Sequence, residues 1–166
     1  MKLYINILFL SFLFAFANCK AQSNMPPGVY TSTNKKAIKQ MEEGKKAFGI
    51  KKDKEAEKYF LKALEIDPKF VEPHMALGYL YANQSKIEKA IEHFKAATEL
   101  NPDFFPNNFY DLGGMYLTLG EYAEGRKAYE SFLTYPRVSP LLKENAQKFL
   151  LNAKFGEEAM KNPMPI

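Results

Sequence analysis

Five residues of this chain return unchanged after 34 positions: Gly44 as Gly78, Ala56 as Ala90, Phe60 as Phe94, Ala63 as Ala97 and Pro68 as Pro102. A third copy follows at a spacing of 35, where Leu77-Gly78, Tyr81 and Phe94 return as Leu112-Gly113, Tyr116 and Tyr129. A period of this size argues against a fold built round one central core. It marks a row of small units, each unable to bury its apolar face alone and each stabilised by its neighbours.

Within each unit the apolar residues fall at helical spacing, which predicts two helices per repeat. The first repeat covers residues 37–70. Ile38, Met41, Gly44, Ala47 and Phe48 lie on its first helix, and Ala56, Tyr59, Phe60, Ala63, Leu64 and Ile66 on its second. Asp67-Pro68 closes it, because proline fixes φ and lacks an N–H. The second repeat covers residues 71–104, with Pro73 tolerated in the first turn of its first helix. Ser85-Lys86-Ile87-Glu88 has capping-box spacing before its second helix, and Asn101-Pro102 closes it. The third, residues 106–139, needs one inserted residue at Phe104-Phe105-Pro106. It carries Gly125 and Phe132 where the others carry alanine.

The small residues have a packing reason. Gly44, Gly78 and Gly113 are expected where the two helices of a hairpin come closest, and Ala56, Ala63, Ala90 and Ala97 serve the same approach from the second helix. Phe60, Phe94 and Tyr129 are expected to fill the gaps between those contacts. Helices of about 13 to 14 residues are marginal alone in water, so stacking has to stabilise them. Ser139-Pro140 then opens a further helix over residues 140–160. Its apolar face is Leu142, Ala146, Phe149, Leu150 and Ala153, and Lys143, Glu144 and Lys148 are polar. This reads as a solvating cap over the open end, followed by a tail at residues 161–166 in which Asn162-Pro163-Met164-Pro165 cannot continue a helix.

Residues 1–21 read as an export address. Lys2 precedes a nearly continuous apolar run from Leu3 to Ala17, short for a membrane span of about 20 residues but suited to a signal segment. Two cuts are compatible with it. Phe16-Ala17-Asn18-Cys19 resembles a bacterial lipobox, in which Cys19 becomes the lipidated first residue. Cleavage after Ala21 instead makes Gln22 the mature start. Residues 22–34 form a leader, broken by Pro26-Pro27-Gly28, with Thr31, Ser32, Thr33 and Asn34 as candidate helix caps.

Composition narrows the function classes. The net charge of +4 arises from 23 basic and 19 acidic residues. The densest basic run, Lys51-Lys52-Asp53-Lys54, is interrupted by an acid, so no cationic face for nucleic acid emerges. A single cysteine among 166 residues excludes an intrachain disulfide and multi-cysteine metal sites. His74 and His93 have no cysteine or acid at ligand spacing. No nucleophile–base arrangement stands out, and the glycines do not gather into a phosphate loop. We expect no catalytic residues, no metal and no cofactor.

The set Leu-Gly-x-x-Tyr, then Ala-x-x-x-Phe-x-x-Ala, then Pro resembles the tetratricopeptide repeat over about residues 37–139. Its tryptophan-like position is occupied by Gln40, His74 and Phe109. The resemblance implies an all-α solenoid of three helix hairpins plus a C-terminal capping helix, whose first helices line a concave groove for a peptide or protein partner. Groove positions carried over from the family are Ile38, Met41, Lys45 and Phe48, then Met75, Tyr79, Ala82 and Asn83, then Asn107, Tyr110, Leu117 and Thr118. The carboxylate clamp of chaperone-binding relatives does not carry over, because its basic and amide positions fall on Met41, Lys45, Ala76, Asn107 and Asp111. The remaining set, Gly44, Ala56, Phe60, Ala63, Pro68, Leu77, Gly78, Tyr81, Ala90, Phe94, Ala97, Pro102, Leu112, Gly113, Tyr116 and Tyr129, is assigned to repeat packing.

Thr33-Asn34-Lys35-Lys36-Ala37-Ile38-Lys39, the repeats and Glu158-Ala159-Met160-Lys161-Asn162-Pro163 also resemble the N-terminal module of cell-envelope proteins that add a β-propeller and an OmpA-type domain, some in type IX secretion and gliding machinery. The expected function is an exported adaptor in the periplasm or at the outer membrane. The alternatives are a docking module of such a larger machine and a carrier of a hydrophobic small molecule.

Overall fold

The computed structural model describes residues 30–161, and from Thr31 onward these pack as one unit. The export address, Cys19, most of the leader and the last five residues lie outside the described residues. Among the described residues seven helices follow one another: α1 (Lys35–Gly49), α2 (Asp53–Ile66), α3 (Val71–Asn83), α4 (Ile87–Leu100), α5 (Asn107–Thr118), α6 (Tyr122–Leu133) and α7 (Pro140–Lys161). They form three antiparallel hairpins, α1–α2, α3–α4 and α5–α6, stacked in order, with α7 lying along α6. The fold is therefore the three-hairpin α-solenoid with a C-terminal capping helix.

Each hairpin is locked by an aromatic ring seated on a glycine. A Cβ added at Gly44 would stand 2.5 Å from the Phe60 ring, one at Gly78 3.0 Å from Phe94, and one at Gly113 2.7 Å from Tyr129. Ordinary carbon contacts lie at about 3.5–4.0 Å. The rings thus do not fill gaps beside the glycines; they occupy the space a side chain there would need. Ala56, Ala63, Ala90, Ala97, Phe60, Phe94, Leu77, Leu112, Tyr81 and Tyr129 are all buried around these contacts. Pro68 and Pro102 are exposed and act at the corners, while Tyr116 is only half-buried.

The three hairpin turns are alike. Lys51, Ser85 and Gly120 take positive φ values of 58°, 57° and 75°. The N–H groups of Lys52, Lys86 and Glu121 donate to the carbonyls of Ala47, Tyr81 and Tyr116, each at 2.9 Å. This is the Schellman closure of a helix C-terminus, in which the left-handed residue lets the chain reverse. Ser85 accordingly ends α3 and does not cap α4: the residue flanking α4 is Lys86, which makes no side-chain capping bond. The capping-box spacing is a coincidence of the turn.

The segment before α1 is fastened to the second hairpin. Asn34 caps α1, its Oδ1 accepting from the N–H groups of Lys36 and Ala37. Thr31 donates its backbone N–H to Glu72 Oε1 at 2.8 Å and its hydroxyl to Glu72 Oε2, and its Oγ1 accepts from Val71 N–H at 3.0 Å. Ser32 donates to Asp67 Oδ2. Glu72 is fully buried, so Thr31 satisfies a carboxylate and the first N–H of α3 together. Residues 31–34, the end of the leader, are thus a strap across the α2–α3 corner.

At the other end, Ala146 and Ala153 are fully buried. Leu142, Phe149 and Leu150 pack on the cluster of Tyr129, Phe132 and Ala146. Arg126 ties α6 to α7 by donating to Glu157 at 2.9 Å. The outer face of α7 departs from the solvating cap expected of it, because Leu141, Leu151 and Phe155 are 65%, 67% and 75% exposed.

Candidate partner-binding face

The first helices of the hairpins form the inner layer. α1 touches α3, α5 touches α7, and a side-chain bond joins α3 to α5: the Tyr79 hydroxyl donates to Asp111 Oδ2 at 2.9 Å. The twelve positions carried over from the family separate into two groups on this layer. Ile38, Lys45, Phe48, Tyr79, Ala82, Asn83, Asn107, Tyr110, Leu117 and Thr118 keep some exposure. Lys45 lies 3.5 Å from Glu42.

The other two do not present a surface. Met41 and Met75 are 2% and 3% exposed, enclosed by the helices that stack against α1 and α3. Tyr110 meets Tyr129 edge-on at 5.7 Å, Phe132 at 5.4 Å and Phe149 at 6.4 Å. Leu117 packs on the same cluster and stands 3.0 Å from a Cβ placed at Gly125. α7 contributes Phe149 to this cluster, so the third repeat loses part of its inner face to its own cap.

Asp111 is the group that sequence reasoning did not single out for binding. Burial pushes its carboxyl up from the ordinary carboxylate range to about 7, opposed only by the Tyr79 hydroxyl. Tyr79 is itself held edge-on against Phe94, with ring centroids 4.9 Å apart. Phe94 rests on Gly78, so the ring-on-glycine contact of the second repeat positions this polar pair of the inner layer.

Between α3 and α4, His74 and His93 bring their Nδ1 atoms within 3.1 Å. One ring must donate and the other accept. Burial lowers the pKa of both, and the neighbouring imidazole lowers His93 further. Tyr81 stacks on His93 at 5.5 Å and donates to Glu57 Oε1 at 2.7 Å. Burial first, and then Glu57, raises the Tyr81 hydroxyl to about 12. Among the described residues no group of three or more His, Cys, Asp or Glu is placed to hold a metal ion.

Comparison with known proteins places this geometry. Residues 59–92 match the family described as Tetratricopeptide repeat, and residues 76–153 match that described as Regulator of microtubule dynamics protein 1-3. The chain is 34% identical over 91 residues to human protein O-mannosyl-transferase TMTC1, a stretch that is 52% of this chain and 10% of that protein. It is 41% identical over 49 residues to human tetratricopeptide repeat protein 6, covering 30% of this chain and 9% of that one. The chain thus spans about a tenth of the length of these curated relatives. Among solved structures it is similar to the first TPR of Spaghetti bound to an HSP90 peptide, with a TM-score of 0.63 at 22% identity over 72% of this chain and 94% of that one. It is also similar to the Yersinia enterocolitica type III secretion chaperone SycD in complex with a peptide of the translocator YopD, with a TM-score of 0.63 at 16% identity, covering 75% and 97%. The described chain has the fold of a tetratricopeptide-repeat solenoid, and its own residues 59–92 carry the sequence of that repeat.

Proposed function

We propose that this protein is a binding module without catalysis, an adaptor that takes a peptide segment of a partner protein along the inner layer formed by α1, α3 and α5. The observation that carries this reading is the row of half-buried side chains there, Ile38, Lys45, Phe48, Tyr79 and Asn107, mixed apolar, aromatic and polar. A concave helical face of that chemistry suits an extended or amphipathic peptide. Two similar solved structures hold peptides, one of HSP90 and one of YopD, which supports the class of partner but not its identity.

The adaptor works in the cell envelope, delivered by residues 1–21 and held there by a lipid on Cys19 or released as a free protein from Gln22. Mass spectrometry of the mature N-terminus decides between these: an acylated cysteine means a membrane-tethered protein. Capture from envelope extracts with wild type and with a Phe48→Glu/Tyr79→Glu variant tests the groove. The variant should lose the partner while keeping its helical circular dichroism; equal recovery would remove the inner layer as the binding surface. A second reading, a docking module within a larger envelope protein of the secretion or gliding type, is favoured by the exposed Leu141, Leu151 and Phe155 on α7. Such an apolar stripe suits packing against a further domain.

A further inference from the structure

We propose that the outer face of α2 is a docking surface for the anionic headgroups of a phospholipid bilayer. This rests on the cell-envelope reading above and adds a membrane contact beyond any lipid on Cys19. The net charge of the chain is not spread evenly along the solenoid. Residues 31–70 carry eleven lysines against seven acids, whereas residues 71–161 carry ten basic side chains against twelve acids. Helical spacing gathers part of that excess on one side of α2. The helix buries Ala56, Phe60 and Ala63, and Lys54, Lys58 and Lys62, each one turn apart, stand exposed on the opposite side. Lys69, at the corner that follows, is exposed too. Among the described residues, the lysines of the α1–α2 hairpin held by a carboxylate are Lys45, Lys46 and Lys52, none of them in this row.

Repeat packing does not call for these lysines. The equivalent positions are Glu88, Glu92 and Ala96 on α4, and Ala123, Lys127 and Ser131 on α6. The basic row belongs to the hairpin that follows the export address. Thr31 lies twelve residues after Cys19, a reach of at most about 40 Å, and the chain joins the solenoid where Thr31 and Ser32 are bonded at the α2–α3 corner. α2 is about 20 Å long, so the leader is long enough for a lipid on Cys19 and the basic row to engage one leaflet. Leu61, 39% exposed, lies within the row and suits the headgroup boundary. Two acids adjoin it: Glu57, engaged by the Tyr81 hydroxyl, and Glu65, which is exposed. Each lysine near an anionic leaflet strengthens attachment about fivefold, so the row outweighs Glu65. The side of α2 that packs against α1 then faces away from the bilayer, and the docked chain keeps α1 of the inner layer clear of the lipid.

The test uses the chain from Gln22, which holds the whole packed unit from Thr31 onward, and co-sedimentation with extruded vesicles. At about 50 mM NaCl, vesicles of phosphatidylcholine with about 30 mol% phosphatidylglycerol should bind it at least about tenfold more tightly than vesicles of phosphatidylcholine alone. Raising the salt to about 300 mM should remove most of that difference. Lys54→Gln/Lys58→Gln/Lys62→Gln, which keeps good helix formers at exposed sites, should weaken binding to the anionic vesicles at least about tenfold. The control Lys95→Gln/Lys143→Gln/Lys154→Gln makes the same change in net charge on other helices and should cost less than about threefold. Circular dichroism checks that both variants keep the solenoid. Equal binding to the two kinds of vesicle, absence of binding to either, or equal loss in the two variants would overturn the proposal. Release by inorganic phosphate beyond that by chloride at equal ionic strength would also overturn it, by assigning the lysines to free phosphate. These outcomes leave partner capture by the inner layer standing, and mass spectrometry of the mature N-terminus decides the envelope reading separately.

Discussion

The contact of ring with glycine makes a graded prediction for alanine at three equivalent sites. Within a helix, alanine is favoured over glycine by about 1 kcal/mol, so absent a clash each change would stabilise. The added Cβ would meet Phe60 at 2.5 Å from Gly44, Tyr129 at 2.7 Å from Gly113 and Phe94 at 3.0 Å from Gly78. Overpacking of a fully enclosed ring costs about 1–3 kcal/mol, and Phe60 is fully buried. Gly44→Ala should thus lose about 2 kcal/mol net, Gly113→Ala about 1 kcal/mol, and Gly78→Ala should be close to neutral. Gly49, where an added Cβ meets nothing within 4 Å, is the control, and Gly49→Ala should be neutral or gain up to about 1 kcal/mol. Urea unfolding followed by circular dichroism measures these differences, and a thermal scan should show Gly44→Ala melting about 4–8 °C lower. Shortening the ring in Gly44→Ala/Phe60→Leu should cost less than the sum of the two single changes. If Gly44→Ala gained stability as Gly49→Ala does, or if the three sites responded alike, the ring-on-glycine account of the hairpins would be wrong.

Three other perturbations have definite signs. The folded-state carboxyl of Asp111 is raised from 3.8 to about 7, so the folded state holds the extra proton between those values and its stability falls as pH rises through that window. Asp111→Asn should be more stable than wild type at pH 8, by at most about 4 kcal/mol at ~1.4 kcal/mol per pH unit. The gain should vanish near pH 4 in paired urea melts; a pH-independent difference would contradict it. Thr31→Val removes the hydroxyl that serves the buried Glu72 and the N-terminus of α3, and should cost about 1–3 kcal/mol, read as a lower urea midpoint and faster amide exchange in the first turn of α3. Ser85→Gly relieves a non-glycine residue at φ 57° and should stabilise by about 1 kcal/mol, seen as a higher melting temperature with unchanged peptide binding.

The hairpin architecture was legible because close approach leaves marks in sequence. A glycine at Gly44, Gly78 and Gly113 paired with a ring 16 residues later repeats through the chain, and no other spacing needs both. The inner layer was less legible for a reason of the same kind. Helical spacing tells which way Met41 and Met75 point but not how far the neighbouring helices reach, and both prove enclosed. Tyr110 and Leu117 are partly covered because a later helix packs into their cluster, which the repeat period cannot foresee. Glu72 stands at the position of Ile38 and Asn107. An acid there was a visible signal, but its partner, Thr31, lies 41 residues upstream and follows no motif. Asp111 was read as a missing clamp residue, and its bond to Tyr79, 32 residues upstream, follows no motif either.

Hydrogen exchange of the full chain, with and without the partner captured from envelope extracts, tests most directly whether the inner layer receives the partner. Protection should rise on amides of α1, α3 and α5, while α2 and α4 keep their free-state exchange. Protection confined to α2, α4 or the exposed stripe of α7 would place the partner on another surface and contradict the proposed groove.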